Sequence, residues 1–172
     1  MPPPRKNCAY SRAVGINLRM TENTINNYPN AWDFYNGNEQ LISHDKKNKL
    51  EYHNLMEFGM SSPLSGNCYW ISDDGKKSLI DNRCAGPPIW NTAGTKAAIP
   101  IWTYKLFKGT VQRLHILDTE SRELIGFKRI FRVLDLRTFD GDQICGYDSP
   151  MFKPKSFCVD YKNERILKTR RL

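Results

Sequence analysis

The stretch Asp81-Asn82-Arg83-Cys84-Ala85-Gly86-Pro87-Pro88-Ile89-Trp90-Asn91-Thr92-Ala93-Gly94-Thr95-Lys96 decides how this sequence is read. It places one large apolar residue, Trp90, between two glycine-marked breaks, just after the adjacent pair Lys76 and Lys77 in a turn. Beyond Trp90 the residues turn polar. Asn91, Thr92, Thr95 and Lys96 are types that hydrogen-bond to base edges or phosphates, so the segment reads as a short strand with a core anchor and a polar rim. Trp90 is expected in the core and the rim outside it.

Working outward, turn signals and period-two apolar runs outnumber helical patterns. Gly15-Ile16-Asn17-Leu18-Arg19-Met20 alternates as a strand, and Thr21 with Glu22 suits the start of one or two helical turns ending before Pro29. Asn67 to Ser72 reads as a strand before the Asp73-Asp74-Gly75-Lys76 turn. Further strands are expected over 99–107, 111–117, 124–136 and 157–161. The expected fold class is α+β: a strongly twisted antiparallel β-sheet flanked by a few short helices packed near the N-terminus. Residues 1–13 read as a flexible basic arm, 14–165 as the domain and 166–172 as a basic tail.

Composition narrows the function classes. At 172 residues with 40% hydrophobic content, the chain can bury a core without metal or disulfide help. No apolar run is long enough for a transmembrane helix, and no membrane partner is expected. The N-terminus lacks an apolar signal-peptide core, which points to an intracellular protein. The five cysteines lack zinc-ligand or disulfide-framework spacing and read as small buried hydrophobes. The histidines are scattered and no glycine-rich phosphate loop occurs, so the expectation is no enzyme, no metal and no cofactor.

The net charge of +8 favours a polyanionic partner. Basic residues gather at Lys46-Lys47-Lys49, Lys76-Lys77, Lys128-Arg129-Arg132 and Lys168-Arg170-Arg171. Strict alternation on a strand would put Lys128 and Arg132 on one face and Arg129 on the other.

Three blocks of the chain resemble the NAC domain of plant transcription factors. Gly15 to Ile25 follows the opening pattern G-F-R-F-H-P-T-D-E-E-L. Cys68-Tyr69-Trp70-Ile71-Ser72 followed by Asn82-Arg83, Ala85-Gly86, Trp90 and Gly94 follows the middle block. Gly126-Phe127-Lys128-Arg129 follows the third. The resemblance, to a divergent member, implies a nuclear regulator of transcription that binds double-stranded DNA sequence-specifically, with a strand edge in the major groove. DNA contacts are then expected from Lys76, Lys77, Arg83, Asn91, Thr92, Thr95, Lys96, Lys128 and Arg132. The same resemblance implies a homodimer, or a heterodimer with related NAC proteins, joined through Gly15, Ile16, Asn17, Leu18, Arg19 and Glu22. Asn91 stands where the family carries lysine. This motivates an alternative, a NAC-like protein-interaction module that has lost specific DNA readout.

Overall fold

The computed structural model describes residues 31–172 apart from Asp33 and Phe152. The arm, the strand and helical turns expected before Pro29, and the dimer residues Gly15, Ile16, Asn17, Leu18, Arg19 and Glu22 lie outside the described residues.

The described chain is antiparallel β-structure. Its strands are β1 (Lys49–Met56), β2 (Ser65–Ile71), β3 (Lys77–Ala85), β4 (Ile89–Trp90), β5 (Lys96–Lys105) and β6 (Gly109–Asp118). They continue with β7 (Glu123–Phe127), β8 (Leu134–Asp140), β9 (Gln143–Asp148), β10 (Lys155–Asp160) and β11 (Ile166–Arg171). The only helical element among the described residues is a 3-10 turn, Glu39–Leu41. The α+β expectation is therefore corrected: this is a β-rich fold without flanking α-helices in the described part. The physical reason lies in the pattern. Segments such as Leu50-Glu51-Tyr52 and Cys68-Tyr69-Trp70 bury alternate side chains, which suits strands and no helix.

The main sheet runs β1-β2-β3-β5-β6-β7-β11, with β4 added to β5, and a second sheet runs β10-β9-β8. At the centre, β5 and β6 pair over their whole length, from Lys96↔Asp118 to Lys105↔Gly109. Both faces of this pair are covered, which explains the near-continuous apolar run of residues 97–102. On one face Ala97, Ile99 and Ile101 join Leu50, Tyr52, Trp70, Ile80, Cys84 and Trp90. On the other, Ala98, Leu114 and Ile116 meet Phe131, Leu136, Phe139 and Ile144, many of them from the second sheet. Each fully buried large apolar side chain contributes roughly 1.5–3 kcal/mol.

The first sheet curls over its own core. β3 touches β5 at Cys84↔Ile101 and then diverges from it. The far edge of β11 returns toward β3, where the Arg170 guanidinium donates to the carbonyls of Leu79 and Ile80. The expected basic tail is thus a strand paired with β7.

The strand expected over 124–136 is broken in two. β7 stops at Phe127 because the buried Arg113 guanidinium caps the carbonyls of Phe127 and Lys128. Lys128 and Arg132 therefore share a connecting loop, where alternation along one strand does not apply. The cysteine reading is also corrected in part. Cys68 and Cys84 are buried free thiols, but Cys145 and Cys158 lie opposite each other in β9 and β10 and form a disulfide.

Candidate functional site

Two poles of the molecule carry the candidate residues. The first collects four turns. The 91–96 turn meets the 43–48 turn, since a β-carbon on Gly94 would lie 2.9 Å from Asp45 Oδ1. It meets the β6–β7 turn through Thr119 Oγ1, which donates to Thr95 O at 2.9 Å. The β2–β3 turn joins them through the Arg122 Nη2–Asp74 Oδ2 pair at 3.0 Å.

Within this pole three of the expected base readers, Asn91, Thr95 and Lys96, are already engaged. Asn91 Oδ1 accepts the backbone N–H groups of Thr95 and Lys96, both at 2.9 Å, and so caps its own turn. Lys96 Nζ donates to Asp118 Oδ2. Burial would raise the Asp118 carboxyl, but the Lys96 bond and the Ser121 and Glu120 N–H groups hold it below its ordinary value. Lys77 Nζ donates to Glu51 Oε1 at 3.1 Å and lies 4.6 Å from the centre of the Tyr69 ring. Lys76 and Thr92 are exposed, and Arg83 is exposed beside Asp81, 3.9 Å away. The Ser72 hydroxyl and Arg122 hold Asp74 well below the usual carboxylate range. Asp45, Asp74 and Asp118 are thus all held below their ordinary values, and Asp74 and Asp118 neutralise Arg122 and Lys96 at this pole. Trp90 itself is 4% exposed and belongs to the core.

The opposite pole has another character. The β5–β6 hairpin projects beyond its neighbours, because β7 pairs with β6 only at residues 115–118. Against its flank packs the 57–64 loop, with the Phe58 ring edge-on to Trp102 at 4.8 Å between centroids. The 128–133 loop closes the other side through the Gln112↔Phe131 bridge. A groove of about 690 Å3 results, lined by Phe58, Trp102, Lys108, Ile130, Arg132 and Asp148 among others. A second hollow of about 270 Å3 adjoins it, sharing Trp102 and Arg132 and adding Trp32 and Met151.

The groove combines aromatic and aliphatic side chains with the polar and charged Lys108, Thr110, Arg132 and Asp148. Phe58 is 50% exposed, and Met60 in the 57–64 loop and Phe107 in the β5–β6 turn are exposed at 100% and 96%. Among the described residues no carboxylate forms an ion pair with Lys105, Lys108, Arg132, Lys153 or Lys155. Asp148 lies in the same wall, but its Oδ1 accepts the backbone N–H groups of Arg132 and Val133 at 2.9 and 3.2 Å. The carboxylate thus orients the loop that presents Arg132.

Of the residues expected from sequence, Arg132 falls in this groove and Lys128 in the loop beside it. The set Lys76, Lys77, Asn91, Thr92, Thr95 and Lys96 belongs to the acid-bearing pole. Sequence reasoning missed Phe58, Trp102 and Lys108. A signal was present in Trp102-Thr103-Tyr104-Lys105-Leu106-Phe107-Lys108, where aromatic and basic residues interleave.

Among the described residues no group of three or more His, Cys, Asp or Glu side chains is arranged to hold a metal ion. Burial pushes the Cys84 thiol far up, which leaves it without thiolate character. No helix among the described residues is long and apolar enough to cross a membrane. Comparison with family models, curated proteins and solved structures finds no match for this chain.

Proposed function

We propose that this protein binds nucleic acid through unpaired nucleotides, at the pole built by the β5–β6 hairpin and the 57–64 and 128–133 loops. The observation that carries this reading is one groove holding the Phe58 and Trp102 rings together with Arg132 and Lys108, cations that no carboxylate among the described residues pairs with. Rings supply stacking surface to any base, at about 1–3 kcal/mol per base, and basic margins neutralise the backbone. A duplex hides its base faces inside the stack, so this groove suits single strands, loops and ends.

The regulator role expected from the NAC resemblance depends on the 91–96 rim entering a major groove. The internal bonds of Asn91 and Lys96 and the carboxylates around them give that mode no support. The second reading, a protein-interaction module, is favoured by one observation: Met60 and Phe107 stand fully exposed beside the groove.

Fluorescence anisotropy separates these readings. Labelled single-stranded 12-mers should bind more tightly than a duplex of equal length, with affinity falling steeply as salt rises. Equal or stronger binding to duplex, or none to either form at low salt, would overturn the proposal.

A further inference from the structure

Six large apolar side chains stand exposed at the hairpin pole: Phe58, Met60, Tyr104, Leu106, Phe107 and Met151. Phe58 lines the main groove and Met151 the adjoining hollow. Phe107 and Met60 are chain neighbours of Lys108 and Ser61, which line the same two hollows. Single exposed residues of this kind are ordinary, whereas a cluster on one pole marks a contact surface. The hairpin tip is its most prominent part. There the Lys108 N–H donates to the Lys105 carbonyl at 3.0 Å, closing a turn over Leu106 and Phe107. Phe107 has φ 66°, in the left-handed region that bulky residues rarely adopt and that glycine or asparagine enters easily. The chain nevertheless keeps phenylalanine there, with its ring in solvent. Strained positions of this kind concentrate where a ligand is met.

We infer that the β5–β6 tip docks on an anionic lipid surface, with Leu106 and Phe107 entering the boundary of the hydrocarbon and Lys105 and Lys108 remaining among the headgroup phosphates. The inference goes beyond the nucleic-acid reading and does not depend on it. Leu106, Met60 and Met151 are aliphatic, so they offer a base no face to stack on but transfer favourably from water into hydrocarbon. Lysine stems can lie along apolar surface while the ammonium stays with the phosphates. Tyr104, two residues before the tip leucine, is of the amphipathic type that settles at the headgroup level. Charge selects the lipid. Among the described residues no carboxylate pairs with Lys105, Lys108, Arg132 or Lys153, so the pole meets an anionic leaflet more favourably than a neutral one. The same cations disfavour a second copy, since a two-fold contact would set them against one another. Docking of this kind needs no spanning segment, because it draws on buried apolar area together with attraction to anionic lipid.

The test sediments the purified full chain with vesicles of phosphatidylcholine alone, or with about 30% phosphatidylserine added to supply the anionic surface. The wild type should bind the anionic vesicles roughly tenfold more tightly than the neutral ones, and less so as salt rises. The double variant Leu106→Ser with Phe107→Asn changes exposed side chains only, and asparagine suits the left-handed turn, so the melting temperature should hold. It should bind anionic vesicles at least about tenfold more weakly, having lost the apolar tip. Single-stranded 12-mers, titrated in parallel, should bind this variant as they bind the wild type, because the Phe58 and Trp102 rings are untouched. A wild type that sediments with neither vesicle, equal binding to both, or a tip variant that binds as well as the wild type overturns lipid docking. Loss of single-strand binding in the tip variant would assign the tip to nucleic acid and overturn it as well. Single-strand binding without vesicle binding leaves the nucleic-acid reading standing, and vesicle binding without single-strand binding removes that reading and keeps the lipid surface.

Discussion

His115 carries a pH response built into the fold. It lies on β6 at 2% exposure, with Nδ1 3.3 Å from the Arg113 carbonyl and Nε2 close over Gly126. Burial lowers its pKa to about 4; the Arg113 carbonyl and Asp81 act to raise it, and Lys168 and Arg113 add to the lowering. The unfolded chain therefore binds a proton between about pH 6.5 and 4 that the folded chain refuses. Stability is full above the unfolded value and falls as pH drops through this window, by on the order of 3 kcal/mol. Thermal melts from pH 7 to 4 should show this decline, and His115→Gln should flatten it; an unchanged pH profile in that variant would reject the assignment. The lowered carboxylates Asp118 and Glu51 lose their contribution only at lower pH. Trp90 is the other test at this scale: Trp90→Ala should cost about 3–5 kcal/mol, read by denaturant unfolding. Its place in the core was legible from residue type and spacing. The fate of Asn91 was not, because an asparagine before a glycine turn reads equally as a free base reader and as the cap it becomes.

Individual strands were legible where the apolar pattern was local. The expected strands over 99–107, 111–117 and 157–161 overlap β5, β6 and β10. The break between β7 and β8 was illegible, because it depends on Arg113 reaching two carbonyls about fifteen residues away. β11 escaped notice for a related reason. All its side chains are exposed, so no buried alternation marks it. It is held by pairing to β7 and by Arg170 bonding across to β3. Arg170→Ala should therefore release the far edge of the sheet. Hydrogen exchange at the amides of β7 and β11 should accelerate at least several-fold, with the β5–β6 core unaffected. Uniform protection in the variant would show that pairing to β7 suffices. A further limit on reading elements from sequence is seen at Gly146, where a β-carbon would lie 2.1 Å from the Asp135 carbonyl. Gly146→Ala should cost about 1–3 kcal/mol by forcing β8 and β9 apart, visible as a lowered melting midpoint.

Across the whole molecule, cations and carboxylates are sorted unequally between the two poles. The +8 charge was read from the sequence as pointing to a polyanion, but the sequence does not say which lysines are neutralised. Folding brings Lys77 to Glu51, Lys96 to Asp118 and Arg122 to Asp74, all at the acid-bearing pole. Ion pairs form between residues 22–48 positions apart, so no local pattern announces them. Among the described residues, Lys105, Lys108 and Arg132 have no such partners. This asymmetry makes a prediction that separates the poles. If about four phosphates are neutralised on a single strand, the logarithm of the binding constant should fall with the logarithm of salt at a slope near −3. Arg132→Ala or Lys108→Ala should each remove one contact and reduce that slope by about 0.7. Lys96→Ala should leave affinity and slope unchanged, and lower thermal stability by leaving Asp118 without its partner. The reverse result, a slope sensitive to Lys96 and indifferent to Arg132, would return the nucleic-acid surface to the 91–96 turn and remove the groove from consideration.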